Sequence, residues 1–168
     1  MKKKLITTQK QKYYQLMDKI VVQTEDFDLT SEVNLARNNN SKIGAVVSFV
    51  GTVRDLYSES IRSMTLEHYP EMTEKSLRSI AIQARERWNL QTVTIIHRTG
   101  ELKINEQIVL VVTTSEHRQE AFESCHFIID YLKIDAPFWK KESTDKGERW
   151  VDSRESDDEQ KKRWQTKY

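Results

Sequence analysis

The chain reads as an α+β domain, a mostly antiparallel sheet carrying two main helices, and three observations predict this. Apolar residues recur at helical spacing in only two long segments. Short apolar or alternating runs of strand length stand in pairs around those segments. The order along the chain is therefore two strands, helix, two strands, helix and hairpin, which favours an antiparallel sheet over a run of parallel crossover units. At 168 residues this is one domain with room for a core.

Residues 1–17 read as a basic N-terminal extension (Lys2, Lys3, Lys4, Lys10, Lys12), with 18–168 as the single folded domain. Residues 19–23 (Lys-Ile-Val-Val-Gln) suit a short strand. Thr30 and Ser31 are expected to cap a short helix ending near the Asn38-Asn39-Asn40 run, a poor helix segment. Residues 43–54 form a strong buried strand, and Gly51 marks a bulge near its end. The alternation over 61–69 predicts a strand, expected to pair with 43–54 through the polar loop 55–60.

Met72, Leu77, Ile80, Ala81, Ala84 and Trp88 lie at helical spacing and predict the first long helix. Residues 92–98 and 107–114 are two more strands, with 99–106 read as a loop. Ser115 is the expected N-cap of the second long helix, whose buried stripe is Ala121, Phe122, Cys125, Ile128, Ile129 and Leu132. Residues 138–143 and 149–152 make a hairpin around Asp145-Lys146-Gly147. From about residue 152 the tail carries ten charged residues in seventeen, split evenly by sign.

Composition excludes several classes. Apolar residues are 37% and charged residues 32%, and the net charge is +1, so no global field draws nucleic acid or membrane. No apolar run approaches a membrane span, and the basic N-terminus lacks the apolar core of a signal peptide, so a cytoplasmic location is expected. The single cysteine, Cys125, excludes an internal disulfide, and its place on a helix's apolar stripe marks it as structural. Serine-hydrolase, P-loop and dinucleotide-binding motifs are absent, and no histidine pair has metal-ligand spacing.

The chemistry concentrates where the second helix meets the hairpin, Tyr-Leu-Lys-Ile-Asp-Ala-Pro-Phe-Trp-Lys-Lys-Glu over 131–142. A proline break lets a helix end and a strand start fold back on each other, bringing Lys133 toward Lys140. Two ammonium groups in a partly enclosed site repel, which favours a depressed pKa on one of them. Two solvated surface lysines are the competing reading. Arg54, ending a strand beside Gly51, can present a fork to phosphate or carboxylate, or simply face solvent. His117 and Arg118 open the second helix, where the helix dipole disfavours cations unless an anion sits there. Phe138, Trp139, Lys140 and Lys141 suit stacking on a base or pterin, or an ordinary strand with one charged face. His68, His97 and His126 are weaker candidates. Unaided, these residues point to a cationic pocket for a phosphorylated or carboxylated ligand.

The run 66–75 (Leu-Glu-His-Tyr-Pro-Glu-Met-Thr-Glu-Lys) resembles a segment of the large, catalytic subunit of molybdopterin synthase. So do 96–102 (Ile-His-Arg-Thr-Gly-Glu-Leu), 114–118 (Thr-Ser-Glu-His-Arg), 130–133 leading into 136–142, 149–151 (Arg-Trp-Val) and 154–156 (Arg-Glu-Ser). The resemblance runs from about Lys19 to Trp164. It implies an α/β hammerhead-type fold with an added β subdomain, and a homodimer of large subunits within a heterotetramer. Each large subunit would bind a small ubiquitin-like sulfur carrier. The carrier's C-terminal Gly-Gly thiocarboxylate would enter a pocket where two sulfurs pass in turn to cyclic pyranopterin monophosphate, forming the molybdopterin dithiolene. The resemblance implies no metal or other cofactor for this step.

By the same resemblance Thr52, Val53 and Arg54 form a first substrate-contacting segment, and His117 and Arg118 a second. Lys133 is the lysine most closely tied to catalysis, with Lys140 beside it. Lys140, Lys141 and Glu142 form the third segment. Arg154 lines the pocket, of its own chain or of a dimer partner. The expected carrier-docking edge is the final hairpin, 138–152, where an extended tail could add by backbone pairing. The competing function is a non-catalytic anion-binding or carrier-docking scaffold subunit. Nucleic acid and membrane are not expected partners.

Overall fold

In the computed structural model, which describes residues 18–55, 61–151 and 164, the most apolar strands build one sheet and the amphipathic ones another. The elements in chain order are β1 (Lys19–Gln23), α1 (Leu29–Arg37), β2 (Ala45–Thr52), β3 (Ile61–His68), α2 (Pro70–Arg87) and β4 (Leu90–Arg98). There follow β5 (Gly100–Lys103), β6 (Gln107–Ser115), α3 (Arg118–Asp135), β7 (Phe138–Thr144) and β8 (Gly147–Val151). The first sheet has the order β1-β4-β6-β2 and the second β5-β3-β7-β8. Among the described residues only the β1–β4 pairing is parallel. This is the α+β, mostly antiparallel class that the sequence predicts, with the second sheet as the added β subdomain.

The first sheet is covered on both faces, which explains why β4 and β6 are apolar almost throughout. On one face α2 and α3 bury Leu77, Ile80, Ala84, Phe127 and Ile128 against Val93, Ile95 and Val111. On the other, α1 packs Ala36 against Ile96, Leu110 and Val112. Burial of each large side chain contributes roughly 1.5–3 kcal/mol. The sequence reading put the helices on one face; that holds for the two long ones, and α1 lies opposite.

Several local expectations are corrected. Strand β3 does not pair with β2. The Val53 N–H donates to the Glu106 carbonyl and the Asn105 N–H to the Val53 carbonyl, so the chain leaves β2 along the turn after β5. Strand β3 then lies between β5 and β7. Residues 100–103, read as loop, are the edge strand β5. Asp28, not Thr30 or Ser31, caps α1, accepting from the Ser31 N–H at 2.7 Å. Asn38 closes that helix in the left-handed region, φ 42°. His117, not Ser115, is the N-cap of α3; Ser115 ends β6 with its hydroxyl 2.6 Å from Glu120 Oε2. Met72 and Phe122 are exposed, and Thr73, Ser124 and Phe127 take the buried positions. The bulge at Gly51–Thr52 and the β7–β8 hairpin with Gly147 at φ 121° form as predicted.

Candidate functional site

The helix α3 ends at Asp135, and the turn Ala136–Pro137 is tight because the Phe138 N–H donates to the Ala136 carbonyl at 2.8 Å. Thr73 on α2 steadies the turn by donating from Oγ1 to the Pro137 carbonyl at 3.3 Å. Proline supplies the fixed φ and gives up no bond it would have made. Helix end and strand start are thereby folded together. Lys133, in the last turn of α3, and Lys140, on β7, face the same cleft.

That cleft holds about 240 Å³. Its polar lining is Thr52, His97, Lys133 and Lys140. Phe49, Ile108, Val109, Ile129, Leu132 and Phe138 form apolar walls around them. Gly51 also lines it: a Cβ there would stand 2.8 Å from Val109 Cγ1, so only glycine leaves the wall undisturbed. The walls lower the local dielectric and strengthen any attraction between the two ammonium groups and an anion.

His97 and Phe138, one a weak candidate and the other only a stacking candidate in the sequence, prove central. Their rings stack with centroids 3.6 Å apart and planes at 14°. His68 lies against the other ring neighbour, 6.2 Å from Phe138. Burial pushes the His97 imidazole down from 6.5 to about 4; its bond to the Arg98 carbonyl opposes this, and Lys140 and His68 add to it. The sequence signal that could have found His97 is a histidine inside an otherwise apolar strand, which needs a reason to be there.

The remaining expected residues lie elsewhere. Val53 is buried with Met64, Leu66 and Leu102 in the core of the second sheet. Arg54 is exposed just beyond it and does not line the cleft. Lys141 points to the face of β7 opposite Lys140, pairing with Glu148 at 3.1 Å over the Trp150 ring. Glu142 is buried and accepts from Arg149 Nε at 3.0 Å and Nη2 at 2.9 Å. His117 and Arg118 are exposed at the start of α3. Arg118 and Lys133 are fifteen residues apart on that helix, roughly 22 Å at its rise per residue. One chain therefore cannot bring them to one small ligand. Arg154 lies outside the described residues.

Cys125 is buried, and burial pushes its thiol up to about 12, with the Thr113 hydroxyl opposing. It is a core residue with no role in the cleft. Among the described residues no helix is long and apolar enough to cross a membrane.

Comparison with known proteins gives a consistent result. The family model described as MoaE protein matches residues 22–135. A "Molybdopterin synthase catalytic subunit" of Ralstonia nicotianae is 52% identical over 149 residues, covering 88% of this chain and 85% of that protein. The solved structure of a "Molybdopterin biosynthesis MoaE protein" from Burkholderia ambifaria superposes with a TM-score of 0.77 at 53% identity, covering 89% of this chain and 99% of that one. A complex of subunits 1 and 2 of molybdopterin-converting factor from Helicobacter pylori shares the fold, with a TM-score of 0.64 at 22% identity over 82% of this chain and 92% of that one.

Proposed function

The chain belongs to the MoaE family, and from that premise we infer that it is a molybdopterin synthase catalytic subunit, a sulfurtransferase of molybdenum cofactor biosynthesis. Its partner would be a small ubiquitin-like carrier ending in a Gly-Gly thiocarboxylate, and its substrate cyclic pyranopterin monophosphate. The observation that carries the reading is the apolar-walled cleft with both Lys133 and Lys140 in its lining. A glycine tail has no side chains and can enter a narrow cleft. A thiocarboxylate and a phosphate are both anions that two ammonium groups would attract.

In the mechanism we propose, the thiocarboxylate sulfur attacks a side-chain carbon of the pterin and displaces its oxygen substituent, leaving a thioester to the carrier. Water then adds to the thioester carbonyl to give a tetrahedral oxyanion, whose collapse breaks the carbonyl carbon–sulfur bond and leaves the sulfur on the pterin. The carrier leaves as a carboxylate, and a second carrier delivers the second sulfur. Lys133 and Lys140 stabilise the oxyanion and exchange protons with it as sulfur is transferred. Thr52 would donate a hydrogen bond at the cleft mouth. His117 and Arg118 are too far along α3 to act in their own cleft. In a homodimer they would be contributed to the partner's cleft, together with Arg54 and Arg154 holding the phosphate. Such a sulfurtransferase would work in the cytoplasm.

The test is reconstitution with a thiocarboxylated carrier and cyclic pyranopterin monophosphate, reading dithiolene-containing product. Product that disappears in Lys133→Ala is expected. Carrier binding without product would instead support the scaffold reading. Contribution across a dimer has its own test. Mixed dimers of Lys133→Ala and Arg118→Ala chains should recover a share of activity that neither variant has alone, because one cleft in the mixed dimer is intact. No recovery would refute contribution in trans.

A further inference from the structure

The cleft contains one polar ring that the reading above leaves without a task. His97 sits on β4 with its imidazole fixed on two sides. Phe138 covers its face at 3.6 Å. Nδ1 lies 2.9 Å from the Arg98 carbonyl oxygen, which can only accept, so Nδ1 carries the proton and Nε2 carries a lone pair. Among the described residues that is the ring's one hydrogen bond. Of the other polar side chains of the cleft, Lys133 and Lys140 can only donate, and the Thr52 hydroxyl can donate or accept. A heterocycle bearing N–H groups beside a phosphate presents donors as well as anions, and donors need acceptors.

We propose that His97 reads the substrate, its Nε2 lone pair accepting a hydrogen bond from an N–H or O–H of the pterin while the lysines serve the oxyanion of sulfur transfer. The inference rests on the sulfurtransferase reading and deepens it, assigning His97 to discrimination among heterocycles. Burial holds the ring well below its usual value, to about 4, so near neutral pH it stays uncharged and presents a lone pair. That same property keeps it from becoming a third cation beside the lysines. Once a ligand fills the cleft such an acceptor discriminates, because a ligand lacking the donor shuts it off from water and leaves it unpaired.

His97→Phe keeps a flat ring against Phe138 and removes the acceptor; His97→Gln returns an oxygen near the Nε2 position. Titration calorimetry with cyclic pyranopterin monophosphate is expected to show about a tenfold weaker dissociation constant for His97→Phe. His97→Gln should recover most of that loss. In the parent protein, the ¹⁵N resonance of His97 Nε2 should move toward its hydrogen-bonded position when substrate is added, a readout independent of any variant's folding. An unmoved resonance, parent affinity in His97→Phe, or equal loss in both variants overturns the assignment. A parent that binds no cyclic pyranopterin monophosphate overturns the functional reading and this one together. A parent that binds it while His97 is indifferent overturns this one alone.

Discussion

Lys133 and Lys140 differ from the other described lysines and arginines in where their backbone puts them. Lys141 is adjacent in sequence to Lys140, yet strand alternation sends it to the outer face and into a pair with Glu148. Lys133→Ala is therefore expected to lower turnover by about 10²–10³, the typical loss for one oxyanion-stabilising group, and Lys141→Ala by far less. Steady-state kinetics on both variants checks this. His97 makes a second prediction. Its pKa is about 4 folded and 6.5 in the free side chain. Between those values the unfolded chain binds a proton that the folded one refuses, so stability falls as pH drops through that window, by up to about 3 kcal/mol, and is unaffected above it. Urea unfolding at several pH values should show this slope in the parent and a shallower one in His97→Phe. Cys125, held as a thiol, should resist alkylation at pH 8 until the protein unfolds. At this scale the sequence was legible for the lysines, where a proline and a helix end are both visible. It was not legible for His97, whose meaning comes from Phe138, forty-one positions away.

Elements were legible where period and punctuation agree. Strand β1, the hairpin β7–β8 and the bodies of α2 and α3 follow their patterns closely. Strand β5 was not, because its four residues carry one buried side chain, Leu102. The cap of α3 was misplaced because Ser115 is still a strand residue, paired with Ala45 and Leu90 at the end of β6, and its hydroxyl donates to Asn89 and Glu120 instead of accepting from a helix N–H. The joint between elements makes its own prediction. Asp18 receives the buried Arg85 guanidinium and also accepts from the Val93 N–H, tying the start of β1 to α2 and β4. Asp18→Ala leaves that guanidinium buried without its carboxylate, at a cost of about 3–5 kcal/mol measured by chemical denaturation. Gly51→Ala should act differently. Val109 must move into the cleft's space, so activity should fall while the unfolding midpoint shifts little.

For the whole molecule, the residue pattern showed the class, while the second sheet was foreseen through the family resemblance and not from local pattern. Alternation along 61–68 is the same whichever strand lies alongside, so the partner of β3 is a long-range choice that local pattern does not encode. The candidate site suffers likewise. A cationic set spread over both ends of α3 looks like one pocket in a sequence and becomes two locations once the helix has length. The tryptophans offer a consequence of another kind. Trp88 and Trp164 are buried edge-to-face, 5.7 Å apart, while Trp139, next to Lys140 on β7, and Trp150 on β8 are about half exposed. The chain thus carries two optically separable emitters. A dissolved quencher such as iodide should dim only the red-shifted outer pair, and a carrier settling on β7 and β8 should shield that pair from it. The blue-shifted inner pair should stay silent until the core opens, so docking and unfolding can be watched separately in one unlabelled sample.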